Sequence, residues 1–497
     1  MRALLVYPRY PDTFWSFRHA LRFLSKKASY PPLGLLTVAA MLPSDWGKKL
    51  VDMNVSTVTD ADIEEADYVF VSAMSIQKQS AEEVIRRCNE LGVKVVAGGP
   101  LFTSALDQFA GVDHFVLNEA EATLPSFLND LRNGCAKRIY RSSDWPDITA
   151  SPIPLWGLMD MKHYSSMSIQ YSRGCPFNCE FCEIIVLNGR KPRTKNKEQL
   201  LAEMEALYSR GWRGGVFLVD DNFIGNKVKL KSEILPGIIK WMKNRKYPFS
   251  LFTEVSVNLA DDDELLGLMV RAGFDTVFVG IETPNEESLL ECGKYQNRGR
   301  DLIASVKKIQ NYGIQVQGGF IVGFDNDPPS IFERQINLIQ NSGIVTAMVS
   351  VLNAPPGTRL YNRLKRENRL LPTDMIGDNA TTNFIPRMSY QTLVNGYRKI
   401  INTIYSPKQY YQRLKAFLKE YSPQHKRWFR PRLHHITGFA KLIWHLGVKE
   451  TGRRYYWNLF FFTLGHPRKF FTSMTLAAYG FHFRKVVEAY NKSLMAT

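Results

Sequence analysis

Cys175, Cys179 and Cys182 stand in the run SRGCPFNCEFCE (172–183) with the spacing C-x3-C-x2-C. Three thiolates in one short loop form a soft donor set, suited to zinc or to an iron–sulfur cluster. Structural zinc takes four ligands, usually from C-x2-4-C pairs set well apart, and this loop offers no fourth Cys or His. A four-iron cluster on three thiolates leaves one iron without a protein ligand, which is an opening for substrate. The spacing therefore points to a [4Fe-4S] centre with a reactive iron. The remaining cysteines, Cys88, Cys135 and Cys292, are scattered. Six cysteines in 497 residues make no disulfide framework, so reduced thiols and a cytoplasmic setting are expected. Cys292 reads as ordinary packing.

A reactive loop needs a rigid edge to stand on. A βα series starts with SIQYSRG (168–174), the strand that feeds the cysteines. It continues through GVFLVDDNF (215–223), PFSLFTEVSV (248–257), DTVFVGIET (275–283), IQVQGGFIVG (314–323) and TAMVSVLNA (346–354). Helical patterns such as KEQLLAEMEALYSRG (197–211) separate these runs. Six such units predict a partial (β/α)6 TIM-type barrel over 166–385, with chemistry at the C-terminal strand ends.

Ahead of it, residues 1–140 alternate near-continuous apolar strands with amphipathic helices: ALLVYP (3–8), LVDMNV (50–55), YVFVSAM (68–74), KVVAGG (94–99) and HFVLNE (114–119). That pattern is an α/β, Rossmann-like, doubly wound domain with its ligand beyond the strand ends. Residues 141–165, with DWPDITASPIPLWG, read as a linker. Residues 386–497 read as helical.

The cysteine motif, with Phe181 before its last Cys and a place on the first strand of a βα barrel, strongly resembles the radical S-adenosylmethionine (SAM) superfamily. The resemblance implies a [4Fe-4S] cluster on Cys175, Cys179 and Cys182, with Phe181 packed over it. The open iron would chelate SAM, whose cleavage gives a 5'-deoxyadenosyl radical. It also implies SAM contacts at Phe181, at Asp220, Asp221 and Asn222, at Thr253 and Glu254, at Glu282 in GIET, and at Gly319, Ile321 and Gly323 in GGFIVGFD (318–325). An acidic pair at a strand end is otherwise read as a helix cap.

The Rossmann-like domain in front of this barrel resembles the cobalamin-binding class of radical SAM enzymes, which implies cobalamin at Ser72, Met74, Gly98, Gly99, Pro100 and Glu119. The D-x-H-x-x-G signature of cobalamin proteins, which supplies a lower-ligand His, is absent. A Rossmann-like domain that binds nothing is the alternative. PPLGLLTVAAMLP (31–43), SAM (72–74), YSRGCPFNCEFC (171–182), GRKPRTK (189–195) and VDDNFIGN (219–226) together resemble the subfamily with a C-terminal domain of unknown function. That subfamily includes the hopanoid C-2 methylase. The implied activity is cobalamin-dependent C-methylation of an unactivated carbon in a small-molecule or lipid, isoprenoid-like substrate. One SAM would yield the radical, methylcobalamin would give the methyl, and a second SAM would restore it. A reductant such as flavodoxin or ferredoxin would feed the cluster. Radical cyclisation, rearrangement or oxidation without methyl transfer is the alternative within enzymes. An iron–sulfur electron-transfer or nucleic-acid-binding protein is the alternative outside them.

The net charge of +17 is local. From Tyr405 to Thr497 there are 17 Lys and Arg against three Glu, together with 21 of the 61 aromatic residues. KRWFRPRLHH (426–435), GRRYYWNLFFFTLGHPRKFF (452–471) and FHFRK (481–485) interleave cations and rings. Rings and cations together suit a membrane headgroup zone, and 405–497 is expected to give peripheral contact at the inner membrane face. A helical cap with a buried aromatic core is the plain alternative. Nucleic acid is disfavoured because no RNA-binding module is recognisable. No stretch reaches about 18 uninterrupted apolar residues, so no membrane span is expected.

Overall fold

The computed structural model describes residues 1–372, 381–423 and 433–496. Strands β1 (Arg2–Tyr7), β2 (Gly47–Asp52), β3 (Tyr68–Ser72), β4 (Lys94–Gly98), β5 (His114–Val116) and β6 (Ile139–Tyr140) form one parallel sheet. Its order is β2-β1-β3-β4-β5-β6. Strand alternation divides the apolar residues between two cores. Leu4, Val6, Val69, Val71 and Val95 pack on one face, and Ala3, Leu5, Phe70 and Val96 on the other. Burial on both faces is why these strands read as continuous apolar runs. β6 has two residues, too few for any period to register.

Residues 141–165 are short turns that pack tightly rather than a loose tether. Ile148, Trp156 and Tyr164 are buried, and the Tyr164 hydroxyl donates to Asp52 Oδ2 at 3.0 Å.

The second sheet opens with β7 (Ser166–Ile169). Next comes a small antiparallel pair, β8 (Ser172–Arg173) with β9 (Arg193–Thr194), that brackets the cysteine loop. The sheet continues with β10 (Gly215–Leu218), β11 (Ser250–Val255), β12 (Phe274–Glu282), β13 (Gln315–Val322) and β14 (Ala347–Val351). The six barrel strands lie parallel in chain order from β7 to β14. Val216, Leu218, Leu251, Val255, Val277 and Val279 are buried on the outer face, under the helices. Phe217, Phe252, Glu254, Phe278, Gly280, Gly319 and Ile321 alternate with buried neighbours and keep accessible surface on the inner face. The barrel therefore encloses a lumen. Phe217 and Phe252, paired in register, stack at 4.4 Å and 3°.

The open side of the six-strand barrel is closed by both distant ends of the chain. Tyr30 lies 5.3 Å from Phe217 and 5.7 Å from Phe252, and Trp15 lies 5.0 Å from Phe278. Phe17 meets Tyr479 of the last helix, Pro467–Ala496, at 4.7 Å. His482 on that helix bonds the Thr13 carbonyl at 3.0 Å across 469 residues of sequence.

Helices Tyr390–Ile404, Pro407–Glu420, Leu433–Leu442 and Arg453–Leu464 complete the C-terminal region. Tyr397, Tyr405, Tyr410 and Tyr456 are buried in its core, and Tyr405 and Tyr410 donate to the carbonyls of Ala347 and Leu476. Part of the aromatic excess is therefore packing. Another part is not: Trp444 is 53% exposed, Phe461 65% and Phe471 49%. Residues 426–432 of the KRWFRPRLHH run lie outside the described residues. Among the described residues no helix is long and apolar enough to cross a membrane.

Candidate active site

The cysteine loop leaves β8 at the C-terminal rim of the barrel, and acceptors from β10 hold its first turn. Asp220 accepts the Tyr171 amide at 2.8 Å, the Ser172 amide at 3.0 Å and the Ser172 hydroxyl at 3.0 Å. Asp221 accepts the Gly174 amide at 2.7 Å and Asn188 Nδ2 at 2.9 Å. Gly174 has φ +92, and a Cβ there would stand 2.8 Å from the Lys191 carbonyl, so only glycine turns the chain here. Burial pushes the Asp220 carboxyl up to about 7 despite those amides. Asn222 pairs with Ser256, accepting its amide at 3.2 Å.

The hydrogen-bonding atoms of Asp220 and Asn222 are engaged by the loop and by Ser256, because amides leaving a strand end need acceptors when buried. Thr253 lies buried in β11. Period-two alternation sends it to the outer face, where its hydroxyl donates to Leu218 O at 2.9 Å. Its neighbour Glu254 points into the lumen. Among the described residues no hydrogen-bond donor meets its carboxyl. Burial, then the nearby Asp221 and Asp220 carboxylates, push it up to about 8. At Gly319 the space for a Cβ is taken by the Phe278 ring at 2.8 Å, and Gly323 serves a turn at φ +106. Ile321 faces the lumen, beside the Phe181–Phe324 edge contact at 6.0 Å.

The three thiols are close enough to influence one another. Burial raises Cys175, and it pushes Cys182 up to about 12. Thiols so placed stay protonated until a metal displaces the proton. Among the described residues no group of three His, Cys, Asp or Glu converges on a single ion. A cubane takes each thiolate on a different iron, so donors spread around a loop suit it better than they suit zinc.

Sequence reasoning missed Lys294, two residues past Cys292. Its ammonium meets Glu282 Oε1 at 2.6 Å. Burial opposes its charge, but the adjacent Glu282 carboxylate outweighs burial and raises its pKa. Gln296 Nε2 lies 3.9 Å from Cys179 Sγ. Arg173 and Arg193 were also missed, although both fall in quoted motifs. Arg173 reaches Glu119 Oε2 at 2.6 Å and Glu121 Oε1 at 2.8 Å, and Arg193 reaches Glu119 Oε1 at 2.5 Å. Glu119, expected at the corrin, thus spends both oxygens joining the cysteine loop to the first domain.

The other first-domain candidates share one rim with this clamp. Ser72 ends β3, Met74 follows it 44% exposed, and Gly98 ends β4. Gly99 turns at φ +88 into Pro100, the first residue of a helix. A Cβ on Gly99 would stand 2.6 Å from Ser72 Oγ, and one on Gly98 would stand 2.7 Å from the Val116 carbonyl.

Known proteins match this architecture segment by segment. A B12 binding domain matches residues 23–128, the radical SAM superfamily 169–339, and a domain of unknown function (DUF4070) 358–495. An uncharacterized methyltransferase of Synechocystis sp. is 45% identical, over 97% of this chain and 91% of its own. Hopanoid C-2 methylase of Rhodopseudomonas palustris is 34% identical, over 92% and 88%. The chain belongs to their family, the cobalamin-binding radical SAM enzymes. The fold agrees with the cobalamin-dependent S-adenosylmethionine radical enzyme OxsB, solved with aqua-cobalamin and S-adenosylmethionine bound. That likeness has a TM-score of 0.62 at 15% identity, covering 99% of this chain and 80% of that one. As a member of the family the chain is a cobalamin-dependent radical SAM methyltransferase, and its cofactors are a [4Fe-4S] cluster, SAM and cobalamin.

Proposed function

We propose that Cys175, Cys179 and Cys182 hold the cluster, and that the rim from Ser72 to Pro100 holds cobalamin. The target would be an unactivated carbon of a lipid or isoprenoid-like substrate. When bound, the cluster cleaves SAM to a 5'-deoxyadenosyl radical, and cobalamin supplies the methyl group. The chain's own residues do the rest. Asp220 and Asp221 fix the cysteine loop, Phe181 packs against Phe324 at the cluster's side and would meet SAM, and Glu254 offers SAM a carboxyl at the lumen. Glu282, Gly319, Ile321 and Gly323 shape the neighbouring wall. Arg173 and Arg193, through Glu119 and Glu121, fix the two cofactor rims relative to each other. Phe217, Phe252, Phe278 and Tyr30 give the substrate an apolar, aromatic wall that excludes water. The working division is 1–140, 141–165, 166–385 and 386–497.

The observation that carries this reading is the arginine clamp, which ties a three-thiol loop on one rim to the strand ends of a B12-type domain. An external one-electron reductant would complete the system. Contact with the inner membrane face through 405–497 would bring a water-insoluble substrate within reach, and exposed Trp444, Phe461 and Phe471 support it. The test is anaerobic reconstitution followed by gel filtration with methylcobalamin. About one cobalamin per chain is expected, with SAM cleavage that Cys179→Ala abolishes. An intact cluster with no retained cobalamin would refute the role assigned to the first-domain rim.

A further inference from the structure

We propose that Lys294 sets the reduction potential of the cluster, a fixed positive charge beside its thiolates that Glu282 partly offsets. This rests on the reading that Cys175, Cys179 and Cys182 carry that cluster.

The turn that bears Lys294 is joined to the cysteine loop by backbone. The Glu180 amide donates to the Cys292 carbonyl at 2.7 Å. Gly293 has φ +70, and a Cβ there would stand 3.0 Å from the Asn178 carbonyl. Lys294 therefore leaves its turn alongside the loop, and its side chain is only 12% exposed.

Two backbone features admit the Lys294–Glu282 pair. Glu282 stands at φ +65, after a register irregularity between Gly280 and Glu282. A left-handed, non-glycine residue at a strand end is strained and re-aims its side chain. Gly280 leaves the space that the pair fills, since a Cβ there would stand 2.7 Å from Lys294 Nζ and 2.4 Å from Glu282 Oε1. Gln296 from the same turn reaches the Cys179 sulfur at 3.9 Å, so the turn that bears Lys294 lies against the cysteine loop.

A cubane on three thiolates is anionic, and reduction adds another negative charge. Cluster potentials follow net charge, hydrogen bonds to sulfur and exposure, and a cation acts strongly where the surroundings are poorly polarisable. Without Lys294, the Glu282 carboxylate would face the cluster unopposed and make reduction harder. Without Glu282, the ammonium would make it easier.

Wild type, Lys294→Met, Lys294→Arg and Glu282→Gln would be reconstituted anaerobically. Iron and sulfide would be counted, and each protein titrated potentiometrically by EPR without SAM. Lys294→Met is expected to cut the reduced fraction at a fixed solution potential on the order of tenfold, ~59 mV for one electron. Lys294→Arg should stay near wild type, and Glu282→Gln should move to more positive potential. Shifts of the same sign in Lys294→Met and Glu282→Gln, or no shift, would overturn the inference. If Lys294→Met loads no cluster, a positive shift in Glu282→Gln supports the inference and any other result overturns it. A wild type that loads no cluster overturns the reading of the cysteines and this inference together. A loaded cluster with unsplit potentials overturns this inference alone.

Discussion

Arg173→Gln should destabilise the protein by about 3–4 kcal/mol at pH 7, judged by two independent routes. Burial alone would raise Glu121, but the Arg173 guanidinium, with Ser151, holds it at about 2. Against an ordinary glutamate near ~4.3, that depression corresponds to roughly 3 kcal/mol. Removing one partner of a buried pair costs about 3–5 kcal/mol, because a charge is left stranded. Glu119 softens the loss, since it keeps Arg193 at 2.5 Å. The folded pKa lies below the unfolded one, so the contribution is complete above about pH 4.3. It is lost as pH falls through about 2. The gap between wild type and Arg173→Gln should therefore be flat from pH 6 to 8 and narrow below about pH 4. The assay is urea unfolding followed by tryptophan fluorescence, comparing the first cooperative transition of wild type, Arg173→Gln, Glu121→Gln and the double variant. Removing the stranded carboxylate should make the double variant recover more than about 1 kcal/mol relative to additivity. A single-variant loss under about 1 kcal/mol, or additivity within about 0.5 kcal/mol, would show that the clamp is not a coupled unit.

Glu254 is held near 8, so it is neutral at pH 7 in the free protein. A bound sulfonium and amine favour its ionised form, so SAM affinity should rise from pH 7 to 9 and that slope should vanish in Glu254→Gln, as read by calorimetry at several pH values. Gly99→Ala forces a Cβ against Ser72 Oγ at φ +88. It should cost about 1–3 kcal/mol and weaken cobalamin retention on gel filtration, and unchanged retention would clear this turn of a role. Phe461→Asp with Phe471→Asp should reduce co-sedimentation with phosphatidylglycerol vesicles severalfold while leaving the far-ultraviolet circular dichroism unchanged. Equal sedimentation would assign these rings to another surface.

Periodicity carried the fold because both sheets are parallel and covered. Apolar runs such as YVFVSAM and DTVFVGIET have no other stable use. The two-residue β6 had no such signal. The cysteine loop was legible because its ligands are local in sequence. Lys294 was not, because its partner Glu282 lies across a turn and its meaning depends on a strained backbone angle that no residue type announces. Thr253 and Glu254 were both read as site residues, since adjacency in sequence hides that alternate side chains face opposite ways. Arg173 and Glu119 lie 54 residues apart, and either alone is an ordinary charge. The basic aromatic tail reads as a contact surface or as a cap with an aromatic core, and composition does not apportion the rings between them: Tyr405, Tyr410 and Tyr456 are core, while Trp444, Phe461 and Phe471 are exposed.

The lumen is closed by the two far ends of the chain: Trp15 and Tyr30 from one end lie against the strand rings, and Tyr479 from the other packs on Phe17. During synthesis the six barrel strands emerge long before the helix bearing Tyr479 and His482. Until that helix docks, Phe14 and Phe17, which Phe483 and Tyr479 cover, face open solvent as a sticky aromatic patch. Closure across 469 residues is a high-contact-order event, and such events are slow and leave aggregation-prone intermediates. A ribosome-bound or truncated chain ending before residue 467 should therefore need a chaperone. The full chain hides the same surface in its own final folding step.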